Sequence, residues 1–364
     1  MIEQIAETLT ARRWTDADVR DLVGRHQATF VGYAAEETVR DSAASGGAVT
    51  ALLLHALETG LADGALVCVT SVEHGVVRAR YRIATTADEV LAARGSTYVL
   101  GEFVREAIPL IEAFPGTLAV VGLPCEITAL ARRVHLAEKV TCRIALFCGH
   151  ATRPELVDAL TERLAEEAGA ELTGFSFRTG AWRGRMRATF ANGAEVERSS
   201  ATYTLYQNLW YFSARKCLAC ADHFGYDADV CAGDLWSARY KREPVKHTAL
   251  IAKTPRGEAF VRGASGAGRL EAHDVPVTDI LDGQRRTAPF HHNVTARHLA
   301  GVEYGISVPD LGQRVRWHER AAARRVLKAY TASTDADAAR RLLATPRWRH
   351  KIALYVRKGL ESLS

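Results

Sequence analysis

The chain has 364 residues, 48% hydrophobic and 24% charged, enough for one large α/β domain or two smaller ones and too evenly mixed for a disordered, collagen-like or mucin-like polypeptide. Lys and Arg number 47 against 42 Asp and Glu, a formal charge of +5, and no basic block is interleaved with aromatics, so nothing in the composition specifies nucleic acid. Acids early in the N-terminal stretch argue against a secretory signal, and the longest apolar run, residues 48–57, is about half a bilayer span and contains His55, so the expectation is a cytoplasmic protein with no membrane span. Seven cysteines, an odd number, argue against a disulfide framework and for thiol, metal or cluster chemistry.

In chain order, residues 2–26 read as one or two short polar helices, and 1–34 is taken as an N-terminal helical arm. From residue 43 a Gly-rich start runs into apolar residues at helical spacing and closes at Gly60. Residues 64–70 and 76–83 read as strands, 91–101 as a loop, and 103–114 as an amphipathic helix stopped by Pro115 and Gly116. The run 117–125 predicts a strand, a Gly-Leu-Pro turn and a helix opened by Cys125, and 140–148 predicts a strand ending at Cys148. This alternation over 43–150 predicts a largely parallel sheet covered by helices, within an N-terminal region taken as 35–150. A helix over 153–168, an antiparallel hairpin insertion with an Asn192-Gly193 turn, a loop-rich segment over 216–236 and a strand over 247–254 complete a second region, 151–290. Arg-rich helices fill 291–364. The fold class is α/β with mixed α+β character.

Cys217 and Cys220 form a Cys-x-x-Cys, a spacing shared by zinc sites, iron–sulfur clusters and redox dithiols. No second close pair supports a zinc ribbon. Cys125 and Cys148 each follow a strand, and in an α/β sheet ligands bind at the carboxyl ends of strands. With the Cys-x-x-Cys loop folded over that edge, the four thiols can converge on a 4Fe-4S cluster. Cys68 and Cys142 lie inside apolar strands and read as small core residues, and Cys231 reads as a strand residue or a spare ligand, with the strand favoured.

Ser45-Gly46-Gly47 at a helix start offers open backbone N–H groups, suited to a pyrophosphate, and Arg94 to Tyr98 adds a cation, hydroxyls and an aromatic face. No G-x-G-x-x-G occurs, so a standard NAD site is unsupported. The Arg/Trp-rich loop 178–187 reads either as a solvated hairpin or as a seat for an anionic acceptor.

Taken in order, SAASGGAVTALLLHALETGLADGALV, RGSTYVLG, VVGLPCEITALAR, LFCGH and CLACADHFGYDADVCAGDLW resemble the coenzyme F420 hydrogenase/dehydrogenase beta-subunit family over about residues 35–290. The resemblance implies an FAD-binding α/β protein with one 4Fe-4S cluster close to the flavin, relaying electrons to coenzyme F420 or an organic acceptor. It implies Cys125, Cys148, Cys217 and Cys220 as cluster ligands, and Ser45, Gly46, Gly47, Thr50, Arg94, Ser96 and Tyr98 as flavin-binding residues. Many relatives carry a cysteine-dense ferredoxin-like segment, whereas here no cysteine precedes Cys68, so the expected donor is an external ferredoxin or redox partner subunit. If the small-molecule acceptor needs a proton, His150 and His223 are the candidate donors. The alternatives are a non-catalytic electron-transfer subunit of a larger hydrogenase or dehydrogenase complex, and a zinc-stabilised binding protein. Homo-oligomer formation is open.

Overall fold

The structure, a computed structural model, describes residues 13–180, 184–237, 239–240, 243 and 245–363; the expected helical stretch before residue 13 and Trp182 of the Arg/Trp-rich loop lie outside them. The strands are β1 (Ala28–Ala34), β2 (Gly64–Glu73), β3 (Val76–Ala84), β4 (Leu118–Gly122), β5 (Val140–Leu146), β6 (Leu172–Thr179), β7 (Arg185–Phe190), β8 (Glu195–Ser199), β9 (Val230–Asp234), β10 (Thr248–Ala252) and β11 (Leu270–Asp274). Among the described residues they form an eight-stranded sheet in the order β11-β1-β10-β9-β5-β4-β2-β3 and a separate three-stranded sheet, β6-β7-β8. The centre of the large sheet is parallel, β9 to β5 to β4 to β2, and antiparallel strands complete both sides.

Helices cover both faces, which is why the central strands are apolar throughout. On one face Leu52 and Leu53 of the Ala48–Glu58 helix and Phe260 and Val261 of the Pro255–Gly266 helix pack over Ala119, Val121, Ile144 and Leu250. On the other, Phe103, Ala107 and Ile111 of the Phe103–Ala113 helix and Ile127 of the Pro124–Ala131 helix pack over Leu66, Val120, Ala145 and Ile251. The three-stranded sheet packs with the Glu155–Ala168 helix around Phe175, Phe177 and Met186. Its turn at Asn192-Gly193 joins β7 to β8, with Gly193 at φ +82°.

The helical arm does not extend to residue 34. Asp16–Leu22 is helical, opened by a Thr15–Asp18 capping box, but Ala28–Ala34 is β1, buried on both faces and paired with β10 and β11. Its partners lie more than 200 residues away, so local pattern gave no sign of them. The expected strand over 140–148 is also shorter: β5 ends at Leu146, which leaves Phe147 and Cys148 free to turn out over the edge.

Candidate thiol and flavin site

Cys125, Cys148, Cys217 and Cys220 come from three separate segments. Gly122 ends β4, and Pro124 at the first turn starts the helix that carries Cys125. Cys148 follows β5 and is clamped by a reciprocal pair with His223: its N–H donates to the His223 carbonyl at 3.0 Å, and its own carbonyl lies 2.9 Å from His223 Nδ1. The Cys-x-x-Cys loop is pinned to the chain just beyond Cys148. Ala214 N–H donates to Ala151 O at 2.9 Å, and Ala151 N–H donates to Cys217 Sγ at 3.3 Å. After Cys220, Asp222 turns the chain by accepting from the N–H groups of Gly225 and Tyr226. Gly225, at φ +94°, lets this turn lie on β5, where a Cβ would run into Ala145.

The Cys148 thiol lies in the field of Cys217, Cys125 and Cys220, Cys217 in that of Cys125 and Cys220, and Cys220 in that of Cys125. Burial pushes all four thiols up, Cys217 to about 11; the neighbouring thiols add to it at Cys148, Cys217 and Cys220, while the Ala151 N–H and Lys216 oppose it at Cys217. Such a set stays protonated near neutral pH unless a cationic centre binds it. Arg297 answers the same electrostatic question from the other side. It is fully buried and donates to the carbonyls of Leu218 (2.8 Å), Cys220 (2.7 Å), Phe290 (2.6 Å) and His291 (2.9 Å), with no carboxylate among these partners. Burial draws it down to about 10, and charge on Cys220 and Cys217 raises it. A buried guanidinium beside Cys217 and Cys220 fits a negatively charged thiolate-ligated centre. Among the described residues no three His, Cys, Asp or Glu side chains gather round a single ion position. A polynuclear cluster, whose thiolates bind different iron atoms, needs a wider spacing than one ion does.

Cys125 reaches solvent through an open cavity of about 540 Å³ lined by Gly101, Phe103, Glu126, Ala129 and Lys216. Lys216 hydrogen-bonds the Cys125 thiol. Below it the buried Glu126 accepts from Tyr81 Oη (2.7 Å) and the Leu123 N–H (2.8 Å). Cys68, Cys142 and Cys231 lie in β2, β5 and β9, where burial raises each thiol.

The two histidines are packed into the wall behind the thiols. His150 stacks on Trp210 at 4.4 Å, and burial lowers it to about 3. Burial lowers His223 to about 4, and its Nε2 lies 3.3 Å from the Gln284 amide. Both are neutral near pH 7, so neither presents an imidazolium, and the geometry of His223 is that of a brace.

The flavin candidates fall in two places joined by a buried polar patch. Ser45 Oγ and the Gly46 N–H both meet Thr248 Oγ1 at 3.1 Å, so the Gly46 N–H, expected to be open, is already occupied. Gly47, at φ +76°, heads the helix containing Thr50 with no side-chain cap. Thr248 pairs in register with Asp234 at the carboxyl end of β9. Asp234 accepts from Arg178 Nη1 at 2.6 Å, and Arg178 in turn hydrogen-bonds Tyr98. Lys246 donates to the carbonyls of Ala43 and Gly180 and so links the glycine segment to the strand carrying Arg178. Arg178 Nη2 is buried and makes no hydrogen bond. Ser96 is half-buried, Thr97 bonds Thr70 of β2 at 3.0 Å, and Arg94 is exposed. Sequence reasoning missed Arg297, Lys246 and Asp234; a charged residue at the end of an apolar run, as at Asp234, could have marked only the last of them.

A mixed sheet with thiols gathered at its carboxyl edge has the outline of a redox protein. Two family models match the chain in order: the coenzyme F420 hydrogenase/dehydrogenase beta-subunit N-terminal segment over residues 29–105 and the C-terminal segment over 116–278. The chain belongs to that family. It is 23% identical over 260 residues to the coenzyme F420 hydrogenase subunit beta of Methanococcus voltae, covering 69% of this chain and 86% of the relative. It is 21% identical over 301 residues to the subunit of the same name from Methanothermobacter thermautotrophicus, covering 79% and 99%. The fold is shared with a chain of the F420-reducing NiFe hydrogenase complex of Methanosarcina barkeri, at a TM-score of 0.58 and 18% identity, over 79% of this chain and 97% of that one.

Proposed function

We propose that the chain is an iron–sulfur flavoprotein oxidoreductase that relays electrons from a ferredoxin-like donor to coenzyme F420 or another organic acceptor. Cys125, Cys148, Cys217 and Cys220 would hold one 4Fe-4S cluster, and Ser45, Gly46, Gly47, Thr50, Arg94, Ser96 and Tyr98 would line FAD. When bound, the cluster supplies one-electron transfer and the flavin exchanges it for two-electron chemistry. The protein's part is positioning. Arg297 fixes the Cys-x-x-Cys loop and offsets thiolate charge, His223 fixes the Cys148 backbone, and Arg178 with Lys246 gives the flavin side a positive lining.

The observation that supports this reading is that Cys125, Cys217 and Cys220 all act on the buried Cys148 thiol, while the buried Arg297 near Cys217 and Cys220 donates to carbonyls and to no carboxylate among the described residues. Anaerobic purification followed by absorption, iron, sulfide and flavin assays tests it. The expected protein is yellow-brown with four irons per chain, and Cys217→Ser or Cys220→Ser loses the iron. Unchanged iron in those variants, or stoichiometric zinc without iron or sulfide, overturns it. The relatives named as hydrogenase subunits favour a second reading, a subunit of a larger complex, in which turnover appears only when the partners are added.

A further inference from the structure

The helices beyond residue 278 lie outside both family-matched segments, although one of them brings Arg297 against the Cys-x-x-Cys loop. They also concentrate charge. Residues 314–364 hold thirteen Lys and Arg against four Asp and Glu, whereas the whole chain holds 47 against 42, so the remainder is net acidic.

The last helix, Arg347–Glu361, buries one face and carries an exposed apolar stripe on the opposite one, where a docked surface helix is ordinarily polar. His350, Leu354, Arg357 and Glu361, spaced i, i+4, i+7 and i+11, are buried, and Leu354 joins the core around the Glu155–Ala168 helix. Arg357 and Glu361 pair with each other on that inner face at 3.2 Å. On the opposite side Trp348 is 58% exposed, Ile352 55%, Tyr355 69% and Val356 41%, an i, i+4, i+7, i+8 stripe, and Leu363 continues it past the helix end. The stripe is flanked by Arg347, Lys351 and Lys358 along one side and Arg349 on the other, and Glu361, the only acid in the helix, is on the inner face.

We propose that this outer face seats the protein on an anionic phospholipid surface, with the helix lying in the interfacial plane. Trp and Tyr suit the headgroup boundary, Ile, Val and Leu enter the acyl edge, and Lys and Arg extend their stems toward lipid phosphates. The helix is far too short and too charged to cross a bilayer, and no described helix is long and apolar enough to do so. An acidic protein partner fits less well, because lysine is depleted from protein interfaces. The proposal does not depend on any cofactor.

The test is co-sedimentation of the full chain with phosphatidylcholine vesicles, with and without phosphatidylglycerol, at low and high salt. Binding is expected only with phosphatidylglycerol present, and it weakens as salt rises. Two variants separate the contributions: Ile352→Asn with Tyr355→Ser removes the apolar stripe, and Lys351→Glu with Lys358→Glu reverses the flanking charge. Each is expected to cut partitioning about tenfold or more, while circular dichroism and the melting temperature hold. No sedimentation at low salt, equal binding to neutral vesicles, or variants that bind like the parent would overturn the proposal. So would a self-association seen by analytical ultracentrifugation that the stripe variant abolishes, since a second copy would then be the occupant.

Discussion

The two ends of the parallel strands treat buried charge in opposite ways. At the amino end of β9, Asp229 is buried, and its carboxylate accepts from the Arg143 N–H at 2.8 Å, Thr254 Oγ1 at 2.9 Å and Arg256 Nη2 at 2.8 Å. Its charge is answered by two guanidiniums. At the carboxyl ends, Arg178 has one acid and an idle Nη2, while the hydrogen bonds of Arg297 go to carbonyls. A satisfied network makes one end rigid, and under-compensated cations make the other ready for anionic groups. On the proposed function, the same sheet would separate stability from cofactor binding by the way it balances charge.

The sharpest way to probe that contrast is Asp229→Ala. It strands the donors of Arg143, Thr254 and Arg256, and a loss of about 3–5 kcal/mol in urea unfolding is expected. Iron per folded chain should not change, because nothing at this end faces the thiols. An unmoved urea midpoint would show that the amino end is not the lock described here. Arg297→Met comes next in size. In protein with its iron bound it removes the counter-charge and leaves four carbonyls short of a donor, for about 2–3 kcal/mol. In iron-free protein the cost is smaller, because there the buried cation has no thiolate charge to answer. Melting both forms of wild type and variant checks this, and equal losses in the two forms would remove the distinction between the ends.

The thiol side was legible in the sequence because each cysteine carries a local mark. Cys125 follows a Gly-Leu-Pro turn, Cys148 ends an apolar strand, and Cys217 and Cys220 mark each other. Alternation within a few residues was enough to put two of them at strand ends. The flavin side was less legible because its geometry rests on contacts between distant segments: Thr248 takes the Gly46 N–H, and Lys246 ties Ala43 to Gly180. Strand β1 was lost for the same reason. Its seven residues are too few to declare themselves, and both its neighbours come from the far end of the chain. Arg297 could not be singled out among so many arginines, since only burial distinguishes it.

Arg178→Gln should have the smallest effect on the fold and the most selective effect on binding. Glutamine keeps an N–H donor near Asp234, so the carboxylate is not left wholly unpaired, and the expected stability loss is about 1 kcal/mol. The change does remove a buried cationic N–H that has no hydrogen-bond partner among the described residues. If that group serves the flavin side, flavin retained per chain falls about tenfold, the worth of one charge-assisted hydrogen bond. Iron per chain stays at the wild-type level, because Arg178 makes no contact with the Cys-x-x-Cys loop or with the segments carrying Cys125 and Cys148. Parallel iron and flavin assays on one preparation read both quantities. If the two fall together, the patch is a spacer between the small sheet and the large one. If flavin alone falls, the carboxyl edge holds two separable sites, one organised by Arg297 and the other by Arg178.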